Sequence, residues 1–421
     1  MRVTLEPHFT GPAEAGIPSS KSLGHRALIA AALAEGTSFL YGLGMSKDIE
    51  ATMNAMKTFG AVFEQQGDLL AVHGCGGKLY ADTAIDCCES GSTLRFLIPL
   101  AALDGTETRF SGQGRLMKRP LDVYEKIFAE QNLPFEQSEE GVRLCGPLKA
   151  GVYTVDGNIS SQFISGLLFA LPLLDGDSEI RIKEPFESAS YVTLTLETLK
   201  AAGIRIGQEG LTFRVPGNQT YRPVRLTVDG DDSQAAFFAG LALTARIPVS
   251  VHGISHESKQ PDHVIFSLLK DFGARISETE DGYLVCPEEI KAIHADLSDC
   301  PDLGPVLFAL AGTAEGTSVF TGCGRLRIKE SDRIAAMQEE LAKLGVRLEA
   351  EDDTVYVTGT ESIQGGVTLD GHNDHRIVMA LSVLAACAQK PVSIEGAQAV
   401  NKSYPGFFSD LEKTGMEVTY D

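Results

Sequence analysis

The chain repeats itself six times. A short polar opener leads into an apolar run of helix length, then a small or turn residue, then a β-branched stretch, as in SKSLGHRALIAAALAEGTSFL, ESGSTLRFLIPLAALDGTETRF and NDHRIVMALSVLAACAQKPVSI. With Ser20, Ser90, Ser161, Ser233, Asp302 and Asp374 as markers, the openers stand 70, 71, 72, 69 and 72 residues apart. So even a period marks one supersecondary unit copied along the chain, and it confines the fold to six similar pieces. Each copy carries a second helix of different character. In RIAAMQEELAKLG, Ile334, Met337, Leu341 and Leu344 fall on one stripe of a 3.6-residue helix, and Gly345 suits a left-handed stop. That helix packs on one face, whereas the first helix of each copy is apolar nearly all round and is expected to be buried.

A buried helix keeps bare N–H groups and partial positive charge at its start. Ser, Asp, Asn and Glu at the openers read singly as caps. Six on one period read as more. If three copies pack around a pseudo-threefold axis, their helix N-termini emerge on one face, where they suit an anion. Residues 20–229 hold three copies and 230–421 hold three. Segment 1–19 is expected to join the second group, because the last copy ends in VTY without a closing strand and VTLEP can supply one. The expectation is an α/β protein of two similar domains, with a double crossing near Ser19–Ser20 and Asp229–Gly230.

Lys and Arg number 36 against 57 Asp and Glu, a net charge of −21 that repels nucleic acid and anionic membrane surfaces. No apolar run approaches the roughly 18 residues a membrane span needs, and MRVTLEPHFTGPAEAG lacks a signal-peptide centre, so a cytoplasmic location is expected. The eight cysteines form no C-x-x-C pair and read as reduced, mostly structural thiols. Neither a Rossmann glycine fingerprint nor a P-loop is present, no H-E-x-x-H marks a metal site, and no cysteine sits in a nucleophile signature. No cofactor or metal is expected. In so acidic a chain the cations are informative, and they gather at the openers: Lys21, Arg26, Arg95 and Arg376, with Arg327, Lys329 and Arg333 around one second helix. Arg115, Lys118 and Arg119 form another group, and Lys402 lies in NKSYP. Helix ends contribute about 0.3–1 kcal/mol each, so charge-assisted contacts from Lys and Arg must do most of any anion binding.

SSKSLGHRALIAAAL, SGST, RLMKRP, SSQF, PDLG, RIKESDR, NDHR and NKSYP, spread over essentially the whole chain, resemble the 5-enolpyruvylshikimate-3-phosphate synthases of the enolpyruvyl transferase family. The resemblance implies two domains of three βαβαββ-like units each, with the active site in the cleft between them. It implies transfer of the enolpyruvyl group of phosphoenolpyruvate to the 5-hydroxyl of shikimate 3-phosphate, a step toward chorismate and the aromatic amino acids. On this likeness Lys21, Ser22, Arg26, Ser160, Ser161, Gln162, Ser188, Asp302 and Lys329 meet shikimate 3-phosphate. Lys21, Gly91, Arg119, Gln162, Arg333, Arg376 and Lys402 meet phosphoenolpyruvate. Asp302 resembles the base facing the 5-hydroxyl, and either Glu330 or Lys21 supplies the proton at the enol carbon.

The chemistry asks for these residue types independently. Two substrates each bearing a phosphate and a carboxylate need several cations, and addition followed by elimination needs an acid and a base at separate atoms. Glu89, Ser19, Ala189, Ser190 and Arg325 depart from the usual pattern. Gly91 leaves space that a side-chain methyl would fill, so on this likeness inhibition by glyphosate is expected, although Phe96 in place of a frequent Pro counts against it. The related nucleotide-sugar enolpyruvyl transferases carry SKN and a loop cysteine, where this chain has SKS and a cysteine-free SGQGRLMKRP. A monomer acting on small molecules is expected, since no long apolar stripe remains unassigned.

Overall fold

The repeats are visible as pairs of helices in the computed structural model, which describes residues 1–77 and 83–421. The first helices are α1 (Lys21–Leu33), α3 (Gly91–Ala101), α5 (Ser161–Ala170), α7 (Asp232–Ala245), α9 (Gly304–Ala311) and α11 (His375–Ala385). Their partners are α2 (Lys47–Thr58), α4 (Asp122–Glu130), α6 (Ala189–Ala201), α8 (Ile265–Asp271), α10 (Arg333–Lys343) and α12 (Phe407–Lys413). The odd-numbered set is buried as its all-round apolar sequence requires: every residue of α7 from Asp232 to Thr244 is buried. The even-numbered set is amphipathic, and on α10 Ile334, Met337 and Leu341 face inward while Gly345 follows at φ +84°.

Each copy also builds a four-stranded sheet. In the second copy Thr83–Asp86 runs parallel to Glu107–Ser111, which pairs antiparallel with Gly141–Cys145, and Phe135–Ser138 forms the edge. Read along the chain this is βαβαββ. Three sheets borrow a strand from a distance. Arg225–Thr227 completes the first, Ala13–Gly16 the fourth, and Arg2–Pro7 lies between Val392–Glu395 and Met416–Tyr420 in the sixth. The N-terminal segment thus occupies the closing-strand position that the last copy lacks.

The chain divides into two compact units, Ser19–Val228 and Met1–Pro18 with Asp229–Asp421, each with its own hydrophobic core. In the second of these, α7, α9 and α11 pack on one another. In Ser19–Val228, α3 packs on α5, and α1 is tied in through α2 and α6. Among the described residues no helix is long and apolar enough to cross a membrane, and the cysteines are free thiols.

Five openers are side-chain caps. Ser20, Ser90, Ser160, Asp231 and Asp374 accept from backbone N–H groups of the first turn, so the caps of α5 and α7 precede the markers Ser161 and Ser233 by one and two residues. Asp302 departs from the expectation. It lies in a 3₁₀ turn, Pro301–Leu303, that runs into α9 without a side-chain cap, because its carboxylate is engaged elsewhere.

Candidate active site

Within Ser19–Val228 the start of α1 carries Lys21, whose Nζ donates to Asp48 on α2 at 2.8 Å. One turn on, Arg26 is buried, and neutral oxygens meet its guanidinium: Ser22 O at 2.7 Å, Thr195 Oγ1 at 2.8 Å and Tyr191 O at 3.0 Å. The ring of Phe96 lies 5.2 Å from it. Burial lowers Arg26 to about 10, so it remains charged at neutral pH.

At the start of α3, Gly91 lets two guanidiniums approach the helix. A Cβ there would stand 2.7 Å from Arg119 Nη1 and 3.4 Å from Arg95 Nη1. Arg95 Nη1 donates to Gln162 Oε1 at 2.8 Å, and Gln162 Nε2 donates to Ser92 Oγ at 3.0 Å, which fixes the amide's orientation. Ser160 caps α5 by accepting from Gln162 N, and Ser161 is that helix's first residue. Ser188 is buried ahead of α6 in a left-handed conformation, φ 53°. A buried chain of hydrogen bonds, His25 Nδ1 to Thr52 to Thr93 to Ser90 with 2.7 Å at each step, joins α1 and α2 to the cap of α3. Burial, with Lys21 and Arg26 nearby, holds His25 well below its ordinary pKa, so the ring is neutral and Nε2, buried without a partner among the described residues, is tolerated.

The other unit gathers carboxylates and cations in one network. Asp302 Oδ1 accepts from Arg333 Nη1 at 2.9 Å and Lys329 Nζ at 3.2 Å, while Oδ2 accepts from Arg376 Nη2 at 3.0 Å. Arg333, on the first residue of α10, donates Nε to Asp374 at 2.9 Å and Nη2 to Glu330 at 2.7 Å. Asp374 also caps α11 through Arg376 N and accepts from Ser331 Oγ, and Lys402 Nζ donates to Asn373 O at 2.5 Å.

The electrostatics follow from this packing. Burial pushes Asp302 up, but Arg376, Lys329 and Arg333 outweigh it and hold the group well below the usual carboxylate range. Asp374 is held low against burial chiefly by Arg333. Lys329 goes the other way: burial, with Arg325 and Arg333 beside it, lowers it to about 8 despite the pull of Asp302.

Thus Asp302, Lys329, Glu330, Arg333 and Arg376 form one network, and Lys402 meets the backbone just before Asp374, the residue that caps α11. Gly91, Arg119 and Gln162 form a second group together with Arg95. Lys21 and Arg26 occupy α1, with Ser22 contributing its carbonyl. Three cations away from the openers turn toward solvent. Arg115 and Lys118 are exposed and Arg327 lies half-exposed 3.7 Å from Asp332, because short 3₁₀ turns rotate successive side chains to opposite sides. Sequence reasoning left Asp374, Asp48, Ser331, Ser233 and Thr195 outside the site. Asp374 and Ser233, which accepts from Arg376 Nη2 at 2.9 Å, had a signal as opener markers; the others are recognisable only from what folds against them.

A family model described as EPSP synthase (3-phosphoshikimate 1-carboxyvinyltransferase) matches residues 12–411. The 3-phosphoshikimate 1-carboxyvinyltransferases of Clostridium kluyveri and Brachyspira hyodysenteriae are 42% and 41% identical over 406 and 408 residues. These alignments cover 96% of this chain in both cases, and 95% and 96% of those proteins. The structure of EPSP synthase from Acinetobacter baumannii matches with a TM-score of 0.80 at 26% identity over the whole of both chains. The enolpyruvyl transferase NikO from Streptomyces tendae, at 16% identity and TM-score 0.80 over 100% of this chain and 99% of its own, shares the fold.

Proposed function

We propose, from the premise that this chain belongs to the EPSP synthase (3-phosphoshikimate 1-carboxyvinyltransferase) family, that it transfers the enolpyruvyl group of phosphoenolpyruvate to the 5-hydroxyl of shikimate 3-phosphate. The observation that carries the reading is Asp302, a carboxylate shared by Lys329, Arg333 and Arg376. Such a group is ionised and able to accept a proton, yet three cations make it a weak base at rest. Substrate phosphate and carboxylate groups would take a share of those cations. Asp302 then becomes more basic when both substrates are in place, which couples proton removal to occupancy.

The steps balance with side chains the protein carries. Lys21 gives a proton to the methylene carbon of phosphoenolpyruvate, Asp302 takes the 5-hydroxyl proton, and the oxygen bonds to the adjacent cation-like carbon. From the tetrahedral adduct the carbon–oxygen bond to phosphate breaks and a methyl proton is lost, restoring the double bond. Glu330 is assigned that last proton, because it accepts from Arg333 at 2.7 Å and is thereby set to receive rather than give. Lys21, Ser22, Arg26, Ser160, Ser161, Gln162, Ser188 and Lys329 are assigned with Asp302 to shikimate 3-phosphate. Lys21, Gly91, Arg119, Gln162, Arg333, Arg376 and Lys402 are assigned to phosphoenolpyruvate. Ser19–Val228 is thus mainly the shikimate 3-phosphate unit, and the other holds the catalytic carboxylates and most phosphoenolpyruvate cations. We read the enzyme as a cytoplasmic monomer, supported by its net charge of −21.

The test is phosphate release from phosphoenolpyruvate with shikimate 3-phosphate or with UDP-N-acetylglucosamine as acceptor. Release with the first alone supports the reading. Release with the sugar, or with neither, overturns it.

A further inference from the structure

Helix α10 grips the segment before α11 twice. At its start Arg333 meets Asp374; two turns on, Glu340 reaches the far end of the same stretch. Glu340 is fully buried, and its carboxylate accepts from Asp370 N at 2.9 Å, from His372 Nε2 at 3.0 Å, and from Lys343 Nζ at 2.7 and 2.9 Å. His372 N in turn donates to Asp370 Oδ1 at 2.7 Å. Between the two grips lie His372 and Asn373, at φ 49° and 50°. Two successive left-handed residues, neither of them glycine, are not what the backbone prefers, so surrounding contacts must hold them.

What they aim is chemically important. Asn373 O is the acceptor for Lys402 Nζ, and the next residue, Asp374, caps α11 at Arg376 N and meets Arg333. A relaxed turn would move that carbonyl and that carboxylate together.

We propose that Glu340 and His372 are positioning residues for the reaction: their hydrogen bond holds the left-handed pair, and through it Asp374, Arg376 and Lys402 keep the arrangement that phosphoenolpyruvate meets. This rests on the assignment of Arg376 and Lys402 to that substrate. The charged groups facing the imidazole are Glu340, Glu339 and Lys343 from α10 and Asp370 from the preceding strand. The hydrogen bond to Glu340 raises His372 above its ordinary value, against burial, with Asp370 and Glu339 adding to it. Lys343 stays on Glu340 when His372 is changed, so such a variant does not strand a buried charge.

The decisive variants are His372→Asn, which tolerates the left-handed backbone but is too short for Glu340, and His372→Gln, which restores reach. In the first, KM for phosphoenolpyruvate should rise about tenfold, the worth of one charge-assisted hydrogen bond. KM for shikimate 3-phosphate should barely move, the thermal midpoint should fall by only a few degrees, and His372→Gln should recover most of the loss. In Glu340→Gln, the imidazole NMR titration of His372 should shift to lower pH. Unchanged kinetics in His372→Asn, or parallel loss of both affinities and of the midpoint, overturns the proposal. Wild-type turnover tests the functional reading separately. Should wild type be inactive, calorimetry with inorganic phosphate decides the positioning claim: weaker binding by His372→Asn supports it and equal binding overturns it.

Discussion

Two buried arginines, one in each unit, are held in opposite ways. Arg26 meets a hydroxyl, two backbone carbonyls and an aromatic face, and burial lowers it to about 10. Arg333 meets Asp302, Glu330 and Asp374, and these carboxylates raise it although burial opposes them. Dipoles leave a net positive charge for a ligand to neutralise; carboxylates cancel it inside the protein. Arg26 therefore keeps a charge that nothing around it among the described residues cancels, whereas the charge of Arg333 is balanced by three carboxylates.

If the carboxylate-rich side carries the chemistry, Asp302→Asn should break it most. We expect kcat to fall by about 10²–10⁴ with the circular dichroism spectrum retained, the range for losing a positioned base. A fall below tenfold would remove Asp302 from that role. Next comes stability. Arg333→Met leaves three carboxylates facing one another and should cost about 3–5 kcal/mol in urea unfolding. Arg26→Met, which strands only neutral acceptors, should cost about 1–3 kcal/mol yet raise KM for shikimate 3-phosphate by about 10–100-fold. Equal stability costs would erase the distinction.

Lys329 sharpens the comparison through pH. Its folded pKa, about 8, lies below the ordinary 10.5, so the native state disfavours its charge, and that penalty is present below pH 8. As pH rises through 8 the free enzyme loses a cation: affinity for shikimate 3-phosphate should fall by up to about tenfold per pH unit, while resistance to urea improves as pH climbs from 8 toward 10.5. Lys329→Arg should remove both trends. The smallest effect is expected at Gly91→Ala, whose methyl displaces the Arg119 guanidinium and should raise KM for phosphoenolpyruvate about fivefold.

Much of the architecture was legible because the same physical pattern was written six times. Apolar periodicity separates the all-round buried helices from the one-sided α10, and VTLEP was readable as a strand wanting partners. Within the candidate network, residue types and openers were readable, but partners were not. Nothing local in KESDR states that Arg333 spans three carboxylates, because Asp302 and Asp374 arrive from 31 and 41 residues away. The outward turn of Arg115 and Lys118 was equally hidden, since a 3₁₀ turn changes side-chain direction without a strong sequence signal. Asp302 looked like a cap because Asp at an opener usually is one; its engagement with three cations is a tertiary fact.

The strand Arg2–Pro7, between Val392–Glu395 and Met416–Tyr420, has a consequence for biosynthesis. Ser19–Val228 is contiguous and can close on itself as soon as it leaves the ribosome, since domains fold as they emerge. The strand Arg2–Pro7 is made before Ser19–Val228 and must wait, unpaired, until Val392–Glu395 and Met416–Tyr420 follow it, so the carboxylate-bearing half is the one a chaperone would have to guard.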